Sequence, residues 1–157
     1  MLRKILSPDT CAACRLCCGF DCTDTWEFPV LPPETVKAMQ EMGVSPKLTP
    51  AGTEQTFAAP PLQGEELFLC PMLSDTGCTM GEQKPFDCKI WPFRMMRDLS
   101  GRVRIAAAAY CPGMERYTDA QLVAFLKEEG LGELLLAYAD AHPAHVKPYS
   151  DQYRFLL

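Results

Sequence analysis

The chain has 157 residues, 48% of them hydrophobic and 22% charged, which is enough apolar material for one folded domain with a modest core and too little charge for a disordered polymer. Its formal net charge of -5, with no run of Lys or Arg, argues against a nucleic-acid or anionic-membrane surface, because such partners require a concentrated basic face. No stretch is long and apolar enough to read as a membrane span.

The opening MLRKILSPDTC lacks the apolar run of a signal-peptide core, and polar Ser7-Pro8-Asp9 follows almost at once. A reducing cytoplasm is therefore the expected compartment. Nine cysteines, an odd number that includes the adjacent pair Cys17 and Cys18, are there more naturally metal ligands than disulfides. A secreted, bridged scaffold is disfavoured by the odd count and the missing export signal.

In chain order, CAACRLCCGFDC reads as one short loop holding Cys11, Cys14, Cys17, Cys18 and Cys22. Asp24 to Pro33, with Trp26, Phe28, Pro29 and Pro32-Pro33, reads as an extended segment that packs aromatics and launches a helix. That helix is expected from Pro33 to Met42, with Val36, Met39 and Met42 on one face and Gly43 as its stop. Ser45 to Gly64 is punctuated by Pro46, Pro50, Pro60 and Pro61 and reads as loop with at most one strand, around Gln55 to Ala58. Within Glu65 to Cys70, the apolar run Leu67-Phe68-Leu69 reads as a strand that delivers Cys70 to a defined place. Asp75-Thr76-Gly77-Cys78 reads as a turn presenting a second cysteine, and Lys84-Pro85-Phe86-Asp87-Cys88 opens a short helical turn that closes at Trp91-Pro92.

Phe93 to Leu99 and Arg102 to Ala107 flank Ser100-Gly101 as a β-hairpin, expected to carry Cys88 and Cys111 near its open ends. Thr118-Asp119-Ala120-Gln121 fits a capping box, and Leu122, Phe125 and Leu126 give the helix after it an apolar face that ends at Gly130. A second helix is expected from Leu131 to Ala141, the two forming an antiparallel cover over the sheet. The tail through Tyr149, Tyr153 and Phe155 either returns as a strand or docks. The expected fold is a single α+β domain over residues 1–157: cysteine-rich and loop-rich, with a short hairpin, a few short helices and a C-terminal helical hairpin, stapled by metal. Its metal-binding core covers about residues 11–113 and its helical cover about 118–157.

Thiolate sulfur selects zinc, copper(I) and iron–sulfur clusters, and a closed site takes about four sulfurs. The Cys11-x2-Cys14-x2-Cys17 spacing brings three sulfurs around a common point. Cys18 differs, because adjacent side chains diverge, so one of Cys17 and Cys18 is expected to serve a second site. Two neighbouring centres, or one cluster of higher nuclearity, would then be completed by Cys70, Cys78, Cys88 and Cys111. A single centre is also compatible with the spacing. The bacterial ferredoxin pattern C-x2-C-x2-C-x3-C-P agrees at its first three cysteines, but Asp21 stands at the fourth, with Cys22 one residue later; Cys70 and Cys111 are each followed by proline. The kinship is in how a sulfur is presented. Arg15, Lys84, Lys89, Arg94 and Arg97 lie beside these cysteines in sequence and read individually as ordinary solvated charges rather than as donors to sulfur.

Cys11-x2-Cys14-x2-Cys17-Cys18, then Cys70, Cys78, Lys84-Pro85-Phe86-Asp87-Cys88-Lys89-Ile90-Trp91-Pro92 and Cys111-Pro112-Gly113, resembles the CxxCxxCC cysteine-cluster family, a zinc- or iron-chelating domain. The resemblance covers roughly Cys11 to Gly113. It implies metal chelation by Cys11, Cys14, Cys17, Cys18, Cys70, Cys78, Cys88 and Cys111, with iron–sulfur clusters favoured in some relatives. The flagellin lysine-N-methylase group carries a similar domain. Lys84 stands where the family commonly has Arg, keeping the charge and losing the planar fork, and Cys22 falls outside the frame.

His142 and His145 form H-x2-H without a nearby cysteine in sequence and read as surface histidines. Met72, Met80, Met95, Met96 and Met114 read as core filler that would shield a centre only incidentally. No phosphate loop is present. The expected function is a metal-binding protein that chelates iron as an iron–sulfur cluster, such as [4Fe-4S], in one or two centres, or zinc, in redox chemistry, metal handling or the service of a protein partner. The alternatives are a zinc-stapled interaction module and a small methylase-like or redox enzyme built on the centre.

Overall fold

The computed structural model describes residue 2 and residues 4–61 and 67–157. The far end of the loop expected over Ser45 to Gly64, and Glu65 and Glu66 of the next segment, lie outside the described residues. The chain divides into two compact units, Ser7–Lys89 and Met1–Leu6 with Ile90–Leu157. The fold is α+β, with five α-helices and small antiparallel sheets among the described residues.

The Ser7–Lys89 unit begins with a helix where a loop is expected. Helix α1 (Pro8–Cys14) forms because the Ser7 hydroxyl accepts from the Thr10 N–H, Asp9 sits at the positive end and Ala12-Ala13 favour the helical backbone. A 3-10 turn (Leu16–Cys18) and strand β1 (Gly19–Phe20) follow. Past a 3-10 turn at Thr25–Glu27, the chain runs extended through buried Phe28, Val30 and Leu31. It then enters α2 (Pro33–Glu41).

Helix α2 stops as expected, with Gly43 at φ +79°, and the stop is a Schellman motif: Val44 N–H donates to the Met39 carbonyl and Gly43 N–H to that of Gln40, both at 2.9 Å. One expectation fails here. Thr35, Ala38 and Met39 form the buried face, whereas Met42 is 42% exposed, because the chain has already turned and Val44 packs inward in its place.

The proline-punctuated segment holds a full hairpin rather than one strand, β2 (Leu48–Ala51) against β3 (Glu54–Phe57). Pro50 is tolerated because a two-stranded ribbon consists only of edges. Strand β4 (Phe68–Leu69) pairs antiparallel with β1, and β5 (Leu73–Ser74) with β6 (Gly77–Cys78). Helix α3 (Phe86–Ile90) follows a buried Pro85.

The core of this unit is Phe20, Phe28, Leu31, Ala38, Met39, Phe57, Met72 and Met80, with Phe68, Cys70 and Cys78 packed against it. Phe28 lies at its centre, 5.0 Å from the Phe20 ring and 5.5 Å from that of Phe68, in the edge-on and tilted geometries that aromatic quadrupoles favour.

The Ile90–Leu157 unit is built on β7 (Phe93–Arg97), β8 (Val103–Ala108) and β9 (Tyr153–Phe155), with β8 central. The hairpin forms as expected. It closes two residues earlier than Leu99 because the Asp98 carboxylate takes over the turn, accepting from Ser100 N–H at 2.8 Å and Arg102 N–H at 3.1 Å, with Gly101 at φ +83°. Ile105 and Ala106 to Ala108 are fully buried on both faces of the sheet.

The Thr118–Gln121 capping box is complete and starts α4 (Asp119–Glu128). Helix α5 (Leu131–Ala141) packs on α4 and on β7 and β8. Its Gly132 lies close under the C-terminal residue: a Cβ there would stand 2.8 Å from the Leu157 Cδ1 and push that side chain aside. The tail resolves as the returning strand β9, paired with β8. Met95, Met96 and Met114 are core residues here, as Met72 and Met80 are in the other unit.

Candidate metal centre

Cys11 and Cys14 stand one turn apart on α1 and so share a face. The helix cannot continue past them, because Arg15 adopts φ +56° and ψ +3°, the one non-glycine positive φ among the described residues. A left-handed arginine costs about 1 kcal/mol or more. Its N–H closes the helix onto the Cys11 carbonyl at 3.0 Å, and the reversal starts the 3-10 turn that carries Cys17 and Cys18.

Sheet pairing then brings in a cysteine remote in sequence. In the β1–β4 ladder Gly19 faces Leu69, and one step further the Cys70 N–H donates to the Cys18 carbonyl at 2.7 Å. Beyond Cys70 the chain turns tightly, with Leu73 N–H donating to the Cys70 carbonyl at 2.9 Å. That turn feeds the β5–β6 hairpin, where Cys78 stands opposite Leu73. Strand β6 packs against α1 so closely that a Cβ on Gly77 would lie 3.1 Å from the Ala12 Cβ.

The Cys70 thiol is pushed up to about 11, first by burial and then by the like charge that Cys78 and Cys17 would add, while a hydrogen bond from the Met72 backbone pulls it back. Cys17 and Cys78 are thus near enough to bear on the Cys70 thiol. Among the described residues, no three Cys, His, Asp or Glu side chains are arranged to hold a metal ion. Cysteine sulfur is the donor type a soft cation takes, and separate elements carry it here: α1, the 3-10 turn and the β5–β6 hairpin.

Cys88 lies in α3, its N–H bonded to the Pro85 carbonyl at 3.0 Å. Cys22 sits half-buried in a turn set by the Asp21 carboxylate, which the Thr23 N–H and hydroxyl hold below its ordinary pKa. Cys111 is buried in the Ile90–Leu157 unit, capping the 3-10 turn Pro112–Met114 after β8. Eight of the nine cysteines therefore belong to Ser7–Lys89 and one to the other unit.

Two charged residues have partners across the fold that a reading of the sequence as solvated charges and spacers does not give. Arg15 donates from Nε to the Ala12 carbonyl at 3.0 Å and from Nη2 to the Asp75 carbonyl in the β5–β6 turn. Asp87 is fully buried, and its carboxylate accepts the Val30 N–H at 2.9 Å, tying α3 to the extended Phe28–Leu31 segment. An acidic residue in the first turn of a proline-led helix is a visible signal for the latter; the partner across the fold is not.

Other cations behave differently. Arg94 is buried with its guanidinium 4.6 Å from the Trp91 ring centroid, not solvated, whereas Arg97 and Lys89 are exposed. The surface reading of the histidines holds only for His142. His145 is 1% exposed, with its ring 5.1 Å from that of Tyr138, because the 3-10 turn after α5 folds it inward.

No family model, curated protein or solved structure matches the chain. The likeness to the CxxCxxCC family therefore rests on the cysteine frame alone. Among the described residues no helix is long and apolar enough to cross a membrane.

Proposed function

We propose that Ser7–Lys89 is a thiolate metal centre, chelating iron as an iron–sulfur cluster, or zinc, through Cys11, Cys14, Cys17, Cys18, Cys70, Cys78 and Cys88, in the cytoplasm. Cys111 enters this reading only through the sequence frame. The observation that carries it is the hydrogen bond from Cys70 to Cys18, which extends the β1–β4 ladder and sets a remote cysteine beside the double-cysteine step. The β5–β6 hairpin then returns Cys78 to the same neighbourhood, against α1.

When bound, the metal would supply either a redox-active cluster or a structural cross-link; the chain supplies the sulfurs and half-buries two of them, Cys70 and Cys78, against the Phe-rich core. The role that suits this is redox or metal handling, or service to a partner protein. Anaerobic purification followed by iron and acid-labile sulfide analysis tests it. Brown protein with both iron and sulfide is expected; colourless protein holding only zinc ends the cluster version, and protein that takes up neither metal ends the reading.

A second reading, a zinc-stapled interaction module, is favoured by the packing of Cys70 and Cys78 directly on the hydrophobic cluster. There zinc would substitute for missing core, and chelation would unfold the unit.

A further inference from the structure

We propose that Arg15 is the positioning residue of the cysteine centre, a clasp that holds the Cys11/Cys14 helix and the Cys17-Cys18 turn in register with the hairpin bearing Cys78. The inference rests on the metal-centre reading of Ser7–Lys89 and adds to it a residue that touches no metal.

Arg15 directly follows Cys14 and stands two residues before Cys17, at the left-handed residue that ends α1 and starts the 3-10 turn. Arginine is a poor choice for that backbone, which glycine adopts freely. Its side chain accounts for its presence. Nε is bonded to Ala12 inside the helix, while Nη2 reaches the Asp75 carbonyl at the tip of the β5–β6 hairpin, so one planar fork joins the two cysteine-bearing elements. Both acceptors are backbone carbonyls, so the clasp fixes main chain rather than a mobile side chain. On the facing side, Gly77 lets β6 approach Ala12 so closely that a Cβ would stand 3.1 Å from the Ala12 Cβ and force the two elements slightly apart. The two contacts flank the same junction, and Cys78 is the residue that follows Gly77.

A lysine carries one terminal nitrogen and cannot meet both carbonyls through a planar fork, so charge alone would not replace the clasp. Outer-shell residues that orient ligands typically carry about 10- to 100-fold of metal affinity. The full-length wild type, Arg15→Gly and Arg15→Lys are reduced and titrated with zinc against a competing chelator, and the melting of each metal-free chain is recorded alongside. Arg15→Gly relieves the backbone strain while removing the fork, and its metal-free form is expected to melt close to wild type while zinc affinity falls about tenfold or more. Arg15→Lys is expected to show a comparable loss of affinity, and it decides the matter should the glycine variant fail to fold. Zinc affinity equal to wild type in the folded variants overturns the positioning role and leaves the metal centre standing. A wild type that binds no zinc, and that takes up no iron and sulfide on anaerobic reconstitution, removes both together.

Discussion

At the scale of single residues, the most informative group is the Cys70 thiol. Burial holds it neutral up to a pKa of about 11, against an ordinary 9.0. Below pH 9 both the folded and the unfolded metal-free chain carry the proton, and the stabilisation is complete. Between pH 9 and 11 the unfolded chain releases it while the folded chain keeps it, so stability falls as pH rises, by about 2–3 kcal/mol in total. Urea denaturation of the metal-free chain across that window should show the fall, and Cys70→Ser should flatten it. Asp87 makes a second prediction. Asp87→Ala would leave the buried Val30 N–H without its acceptor and should cost about 1–3 kcal/mol, while Asp87→Asn, which keeps a carbonyl oxygen, should cost less; chemical denaturation distinguishes them.

At the scale of elements, local chemistry decides where helices and turns start and stop. Thr118→Ala removes the hydroxyl that accepts the Gln121 N–H and should destabilise the Ile90–Leu157 unit by about 1 kcal/mol, with Thr118→Ser close to neutral. Gly77→Ala tests the α1–β6 contact. The new methyl meets both an unfavourable φ of +107° and the Ala12 side chain, whereas Gly101→Ala, at φ +83° with open space around it, meets strain alone. The Gly77 change should therefore shift the melting temperature further than the Gly101 change, and in the Ala12→Gly background, where the nearest remaining atom is the residue-12 Cα at 3.3 Å, the further shift caused by Gly77→Ala should be smaller.

At the scale of the whole molecule, the uneven placement of cysteines predicts an uneven response to metal removal. Chelation of the metal-loaded protein should raise amide hydrogen exchange across Ser7–Lys89, whose core is a small cluster, and leave the Phe93–Ala108 hairpin protected. Cys14→Ser and Cys88→Ser should each lower metal content and folded yield; Cys22→Ser, in its surface turn, should not. Equal losses from all three would show that the ligand frame is misplaced.

The sequence by itself determined the elements whose signals are local. The Pro33 helix and its Gly43 stop, the Phe93–Ala108 hairpin, the capping box at Thr118, the Leu131 helix and the methionine core all follow from short-range periodicity, capping and turn chemistry. It missed α1, because a run of cysteines draws attention from Ser7-Pro8-Asp9, an ordinary helix start. It missed β2, because Pro50 argues against a strand unless the strand is an edge. Which cysteine-bearing elements pack together came from the tertiary structure alone. The pairing of β4 with β1, the folding of β6 onto α1 and the reach of Arg15 to Asp75 are non-local, each set by which elements collapse together rather than by the neighbours of any one residue. The same holds for Cys111, which shares the cysteine frame in sequence and belongs to the other unit in the fold.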